Sequence, residues 1–254
     1  MCLIVFAWRP GHALPLIVAA NRDEFHARPS LPLAPWPDAP EVVAGRDLQA
    51  GGTWLGIGSS GRFAALTNIR APGSPAGARS RGELPERYLR GSLSPQAYLA
   101  EVSGQLDQYA GFNLLVGDDR QLWYLNSAVG SAQRLSAGTY GLSNAALDTP
   151  WPKLVRARRQ LQSCLGAPDI EALLALLSDA QPAQDAELPT TGVPYEWEKR
   201  LSSIFIASDD YGTRASTVLI GRADGSAKIT ERRFRPHGRL GDSCVNLTSC
   251  CEQG

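Results

Sequence analysis

Apolar residues come in short runs along this chain, and turn-forming residues punctuate them. Residues 2–8 and 14–21 are almost wholly apolar and are separated by Arg9-Pro10-Gly11-His12, which predicts an antiparallel hairpin. Residues 52–58 and 62–68, around Ser59-Ser60-Gly61, predict a second. Strand patterns continue at 112–117, 121–126 and 138–143, and near the C-terminus at 204–208, 216–221 and 227–234. Helices are expected between them. Ser94-Pro95 offers an N-cap followed by proline at the first helical position, opening a helix to about residue 108. Thr149-Pro150 repeats that device for a basic helix to 162, and residues 170–177 read as a short apolar helix. Strands grouped at both ends with helices in the middle predict an α+β fold rather than alternating βαβ units. Proline-rich 28–40 and Gly/Pro/Ala/Ser-rich 71–82 read as mobile loops, either of which is a candidate lid.

Composition narrows the function classes. The 254 residues are 43% hydrophobic and 20% charged, which is globular rather than disordered. No composition break marks a linker, so one domain is expected over residues 1–240, followed by a short disordered tail at 241–254. Lys+Arg 25 balances Asp+Glu 25. That balance gives no support to a nucleic-acid or polybasic membrane role. No run approaches the roughly 20 apolar residues of a membrane span. The apolar start lacks a basic leader and runs into Arg9-Pro10, so a signal peptide is not expected and the cytoplasm is the default compartment. Cys2, Cys164, Cys244, Cys250 and Cys251 have no framework spacing and are expected as reduced thiols. His12, His26 and His237 are scattered, so neither a metal site nor a Ser-His-Asp arrangement is expected.

Cys2 carries the most chemistry. Methionine aminopeptidases remove Met1 when the next side chain is small, and cysteine qualifies. Removal leaves a thiol, of ordinary pKa about 8.5, and an α-amine of about 7.7–8.0 on one residue. The amine can accept the thiol proton, which places nucleophile and base together. The competing reading is a small core residue opening an apolar strand. The mature protein is expected to begin at Cys2, and Cys2 to be the most reactive of the five thiols.

Polar residues at strand ends form the remaining candidates. Asn21-Arg22-Asp23-Glu24 closes an otherwise apolar strand. Alternation along an extended strand puts Arg22 and Glu24 on one face and Asn21 and Asp23 on the other. Either pair can face Cys2 if the two strands are neighbours. An arginine favours a thiolate, and a carboxylate orients an ammonium. Asn68 and Asn144 each end a strand, where a side-chain amide either stabilises an oxyanion or makes a turn. Arg214 precedes a β-branched strand and is suited to an anionic group or a surface carboxylate.

Taken together, these motifs resemble the NRDE family, the group of transport and Golgi organisation protein 2. The resemblance rests on Met1-Cys2, Asn21-Arg22-Asp23-Glu24-Phe25 with Arg28-Pro29, and Ala44-Gly45-Arg46-Asp47 leading to Gly51-Gly52-Thr53-Trp54-Leu55-Gly56. It continues through Leu66-Thr67-Asn68, Ser80-Arg81-Gly82, Gly111-Phe112-Asn113-Leu114-Leu115, Leu142-Ser143-Asn144, Asp148-Thr149-Pro150-Trp151-Pro152-Lys153 and Tyr211-Gly212-Thr213-Arg214. It implies the N-terminal nucleophile hydrolase fold, a four-layer αββα sandwich of two mainly antiparallel sheets. By similarity to the cysteine members of that superfamily, Cys2 is the expected nucleophile and Arg22 and Asp23 set its ionisation. Asn68 and Asn144 supply oxyanion contacts and Arg214 completes the site. Asn21, Glu24, Trp54 and Thr67 are the expected substrate contacts. The superfamily spaces its arginine and aspartate by two residues whereas Arg22 and Asp23 are adjacent, which leaves Asn21 and Glu24 as the alternative pair. Two activities follow from the resemblance. One is a cysteine amidohydrolase or acyltransferase acting on a small amide, thioester or acyl compound, with no cofactor required. The other is a non-catalytic carrier of haem or an acyl lipid in the same pocket. Family members are also linked to Golgi organisation, secretion and haem trafficking, with Golgi or mitochondrial association in eukaryotic relatives.

Overall fold

Alternation along the first strand generates the layers. In β1 (Cys2–Trp8), Leu3, Val5 and Ala7 point into one apolar cluster while Ile4, Phe6 and Trp8 point into another. A strand buried on both faces reads as a continuous apolar run, which is why no polar alternation marks it. The structure is a computed structural model and describes residues 2–236 and 238–248.

Six strands form the first sheet, in the order β10-β1-β2-β11-β12-β13. Here β2 is Leu16–Phe25, β10 Gly138–Leu142, β11 Tyr211–Gly221, β12 Ala227–Arg235 and β13 Gly238–Leu247. The second sheet runs sequentially: β3 (Ser30–Trp36), β4 (Ala39–Asp47), β5 (Leu55–Ile57), β6 (Phe63–Asn68), β7 (Phe112–Gly117), β8 (Leu122–Asn126) and β9 (Ala132–Arg134). All the pairings are antiparallel. Between the sheets lies the cluster holding Phe6, Val18, Val43, Phe63 and Leu115. Helices α1 (Glu83–Arg90) and α2 (Pro95–Ser103) cover the second sheet through Leu84, Tyr88 and Leu99. Helices α3 (Pro152–Cys164) and α4 (Ile170–Leu176) cover the first through Leu154, Leu161 and Leu173. Short α5 (Tyr195–Arg200) sits beside Leu201 and Ile206. Three apolar layers between four layers of elements make the αββα sandwich. No described helix is long and apolar enough to cross a membrane.

Several expectations need correction. Residues 28–40 are not a loop: they supply β3 and the start of β4. Pro32 and Pro35 are tolerated because β3 is an edge strand with register shifts, where a missing N–H costs no ladder bond. Residues 204–208 form no strand; the backbone N–H of Ile206 bonds Thr213 Oγ1 at 2.9 Å instead of a ladder partner. The Ser94 cap stands, accepting from the Ala97 N–H at 3.3 Å, but the helix stops at Ser103. The Thr149-Pro150 start moves two residues on, with Pro152 opening α3 and Thr149 Oγ1 donating to the Ala146 carbonyl. Residues 241–247, placed in the tail, complete β13 along β12. Met1, His237, Cys250 and Cys251 lie outside the described residues.

Candidate active site

Strand register brings the two ends of the N-terminal hairpin together. Cys2 pairs with Arg22 across β1 and β2, so their side chains share one face. On the other side of β2, Asp23 faces Thr213 and Arg22 faces Ala215, because β11 carries an irregularity between Thr213 and Ala215. Arg214 is the extra residue of that bulge. Bulges beside sites re-aim side chains, and here the ladder breaks between Arg22 and Asp23. Cys2, Arg22, Asp23, Glu24, Trp54 and Asn68 line one cavity of about 270 Å³. Its outer wall is the 71–82 loop, through Ala76, Gly77, Arg79, Ser80, Arg81 and Gly82. The loop expected as a lid forms a wall.

The glycine-rich motifs shape this wall. Arg22 stacks on the Trp54 ring at 4.3 Å. Trp54 lies so close to the backbone of β4 that a Cβ on Gly45 would sit 2.4 Å from the ring. Gly52 has φ +75° and faces the Gly82 carbonyl, which a Cβ would approach to 2.2 Å. Asp47 accepts from the Gln49 and Ala50 N–H groups and pairs with Arg28 at 2.8 Å and Arg22 at 3.8 Å. Gly45→Ala is expected to displace Trp54 from Arg22 and to cost about 1–3 kcal/mol, as overpacking does. An unchanged urea midpoint would show that the ring is free to move.

Beneath the cavity, buried polar groups tie the sheets together. Thr67 Oγ1 donates to the Ser143 carbonyl at 2.5 Å, and Ser143 Oγ donates to the Cys2 carbonyl at 3.1 Å. Asn113 Nδ2 donates to Thr67 Oγ1 and to the Ala145 carbonyl, while Tyr124 and Asn126 donate to Asn113 Oδ1. Asn144 Nδ2 donates to the Asn68 carbonyl at 2.8 Å. Thr67, expected at substrate, and Asn144, expected at the oxyanion, here bond the carbonyls of Ser143 and Asn68. Asn21 also turns away: its Nδ2 donates to the Leu177 and Ile204 carbonyls, and Ser216 Oγ donates to its Oδ1. That removes Asn21 as the alternative partner of the thiol. Glu24 keeps a place on the wall, with Oε1 accepting from the Phe25 N–H. Arg214 is absent from this wall and lines a neighbouring cavity, its Nη1 donating to the Phe25 and Arg28 carbonyls.

Electrostatics at the site involve one residue that patterning did not single out. Lys153, near the start of α3, is 1% exposed with no hydrogen bond to its Nζ among the described residues. Burial pulls its pKa down to about 8, opposed by the charges of Asp23 and Cys2. Burial raises the Asp23 carboxyl, and Lys153 and the 2.8 Å Thr213 hydroxyl bond pull it back. Burial likewise raises the Cys2 thiol, with Arg22 working against it. A thiol so placed is held as S–H at neutral pH, and attack needs a base. Lysine opening a helix is ordinarily a solvated residue, so only its place in the Asp-Thr-Pro-Trp-Pro-Lys motif flagged it. Arg81 was equally silent; it lines the cavity and donates to the Gly111 carbonyl at 3.1 Å.

The profile of transport and Golgi organisation 2 matches residues 1–236. The chain belongs to that family. Its similarity to the transport and Golgi organisation protein 2 homolog of Bos taurus is 36% identity, covering 91% of this chain and 92% of the relative. With the Homo sapiens homolog it is 35%, over the same shares. The Drosophila melanogaster transport and Golgi organization protein 2 is 28% identical over 94% and 95%. Among solved structures, the N-acylethanolamine-hydrolyzing acid amidase ortholog of Caenorhabditis elegans superposes with TM-score 0.52 at 12% identity, covering 86% of this chain and 92% of that one. A mutant conjugated bile acid hydrolase from Clostridium perfringens gives TM-score 0.53 at 8% identity, over 97% and 92%. These likenesses show a shared N-terminal nucleophile hydrolase fold.

Proposed function

We propose that this family member is an N-terminal cysteine acyl-transfer enzyme that cleaves a small amide or thioester. The observation that carries the reading is Cys2 on the cavity wall, opposite Arg22 in register, beside Asp23 and Asn68. The amidase and hydrolase activities named for the two superposed proteins agree with it. With Met1 removed, the α-amine of Cys2 takes the thiol proton. Sγ then bonds to the substrate carbonyl carbon, and the amide or thioester bond breaks as the amine returns that proton to the leaving nitrogen or sulfur. Water next adds to the acyl thioester, releasing the acid and restoring the thiol. Asn68 provides the oxyanion contact, held by the Asn144 amide. Asp23 holds the ammonium, and Lys153 balances the charge of Asp23. A volume of about 270 Å³ falls just below the roughly 300–1,000 Å³ of drug-sized sites and favours a small acyl group.

The test is intact mass of wild type and Cys2→Ser after incubation with a panel of acyl amides and thioesters. Wild type is expected to gain one acyl mass and release amine or thiol, and Cys2→Ser to do neither. A protein with an uncleaved N-terminal extension is expected to behave like Cys2→Ser, because its amine is blocked. Stoichiometric retention of an acyl compound or haem without turnover, unaffected by Cys2→Ser, would replace the enzyme with a carrier.

A further inference from the structure

A second cavity, of about 410 Å³, lies beside the first, and Arg22 and Trp54 line both. Four guanidiniums, of Arg22, Arg214, Arg233 and Arg235, border it, against one carboxylate, Glu231. Glu231 lies in the field of Arg233 and Arg22, and Asp47 pairs with Arg22 at 3.8 Å, which still leaves the arginines in surplus. Glu231 is 2% exposed, its Oε1 accepts from the Leu33 N–H at 2.8 Å, and burial raises its carboxyl. Among the described residues, no carboxylate stands within ion-pair distance of Arg214, Arg233 or Arg235. Arg214 spends Nη1 on two backbone carbonyls. Arg22 is 6% exposed, and its Nη1 is buried without a hydrogen-bond partner, as is Arg233 Nε. His26, the other titratable group here, is held below its ordinary range by burial and by Arg214, so it adds no further positive charge.

Buried, unpartnered guanidinium nitrogens are costly, and like charges around one cavity repel. A multiply charged oxyanion offsets both costs, because its oxygens accept the parallel N–H donors of a guanidinium fork. We propose that this cavity is an anion subsite for a phosphate- or pyrophosphate-type group. Its shared wall lets the anion belong either to the acyl substrate or to a separate small molecule. The subsite shares Arg22 with the Cys2 site, but Arg214, Arg233 and Arg235 do not line the cavity of the thiol.

Pyrophosphate binding by calorimetry, at ionic strength matched with sodium chloride, tests this in the full chain. Wild type and Cys2→Ala are expected to bind one pyrophosphate equally, and Arg233→Ala/Arg235→Ala to bind at least tenfold more weakly. Arg235→Ala alone, at the exposed mouth, gives the smaller loss and guards against misfolding of the double variant. The double variant is expected to keep wild-type Cys2 alkylation by neutral iodoacetamide. Competition between pyrophosphate and an acylating substrate would place the anion on the substrate, and binding without competition would make it a separate ligand. Equal affinity in wild type and both arginine variants, or no binding by wild type, would overturn the subsite whatever the fate of the nucleophile.

Discussion

Replacing Glu198 with alanine is expected to destabilise the protein by about 3–5 kcal/mol, the cost of breaking a buried ion pair from one side. The Arg70 and Glu198 side chains are 4% and 7% exposed and meet at 2.7 Å. Glu198 Oε1 also accepts from the N–H and hydroxyl of Thr191, at 2.7 and 2.5 Å. Arg70 lies over the Trp151 ring at 4.6 Å, and its N–H donates to the Asn144 carbonyl. Removing the carboxylate therefore takes away the 2.7 Å acceptor of a guanidinium that stays buried, next to the strand end that holds Asn68. Glu198→Gln keeps acceptors for Thr191 and is expected to lose less. Urea unfolding checks both, and a loss under about 1 kcal/mol for Glu198→Ala would mean that water reaches the pair.

The second large effect is in the pH dependence of stability, through Lys153. Its folded pKa of about 8 lies below the roughly 10.4 of an unfolded lysine. Between those values the unfolded chain binds more protons, so wild-type stability rises with pH relative to a variant lacking the group. The difference in unfolding free energy between wild type and Lys153→Met is expected to move by about 3 kcal/mol in favour of wild type from pH 8 to 10.5. Taking the difference cancels groups common to both proteins, such as the tyrosines that burial pushes up. Below about pH 7 the lysine is charged in both states and contributes no slope. Lys153→Met also removes a cation coupled to Cys2 and Asp23, so alkylation of Cys2 is expected to need a higher pH. A flat difference from pH 8 to 10.5 would show that the ammonium is solvated in the folded state.

How far patterning reaches is clearest at β1 and β7. Their apolar runs are buried on both faces, and the residues 2–8 and 112–117 match the observed strands end to end. Hydrophobic runs bounded by turn residues carry that information locally. The edge strand β3 was illegible for the opposite reason: its prolines signal a loop, and only its place at the sheet margin lets them remain. Helix α1 was missed inside a polar stretch whose packing side, Leu84, Tyr88 and Leu89, is narrow.

The same division runs through the site. Sequence alone determined the α+β class, the family with the layered fold its resemblance implies, and Cys2, Arg22, Asp23 and Asn68 as residues of interest, because each stands in a local motif or at a strand end. Tertiary structure decided which of them share a space. The bulge at Arg214 parts Arg22 from Asp23 in the ladder and sends Arg214 to the second cavity. Carbonyls more than 150 residues along the chain claim Asn21. Packing of α3 buries Lys153 within the field of Asp23. Neither a bulge across strands nor the desolvation of one ammonium has a local signal, since both arise from where distant segments meet.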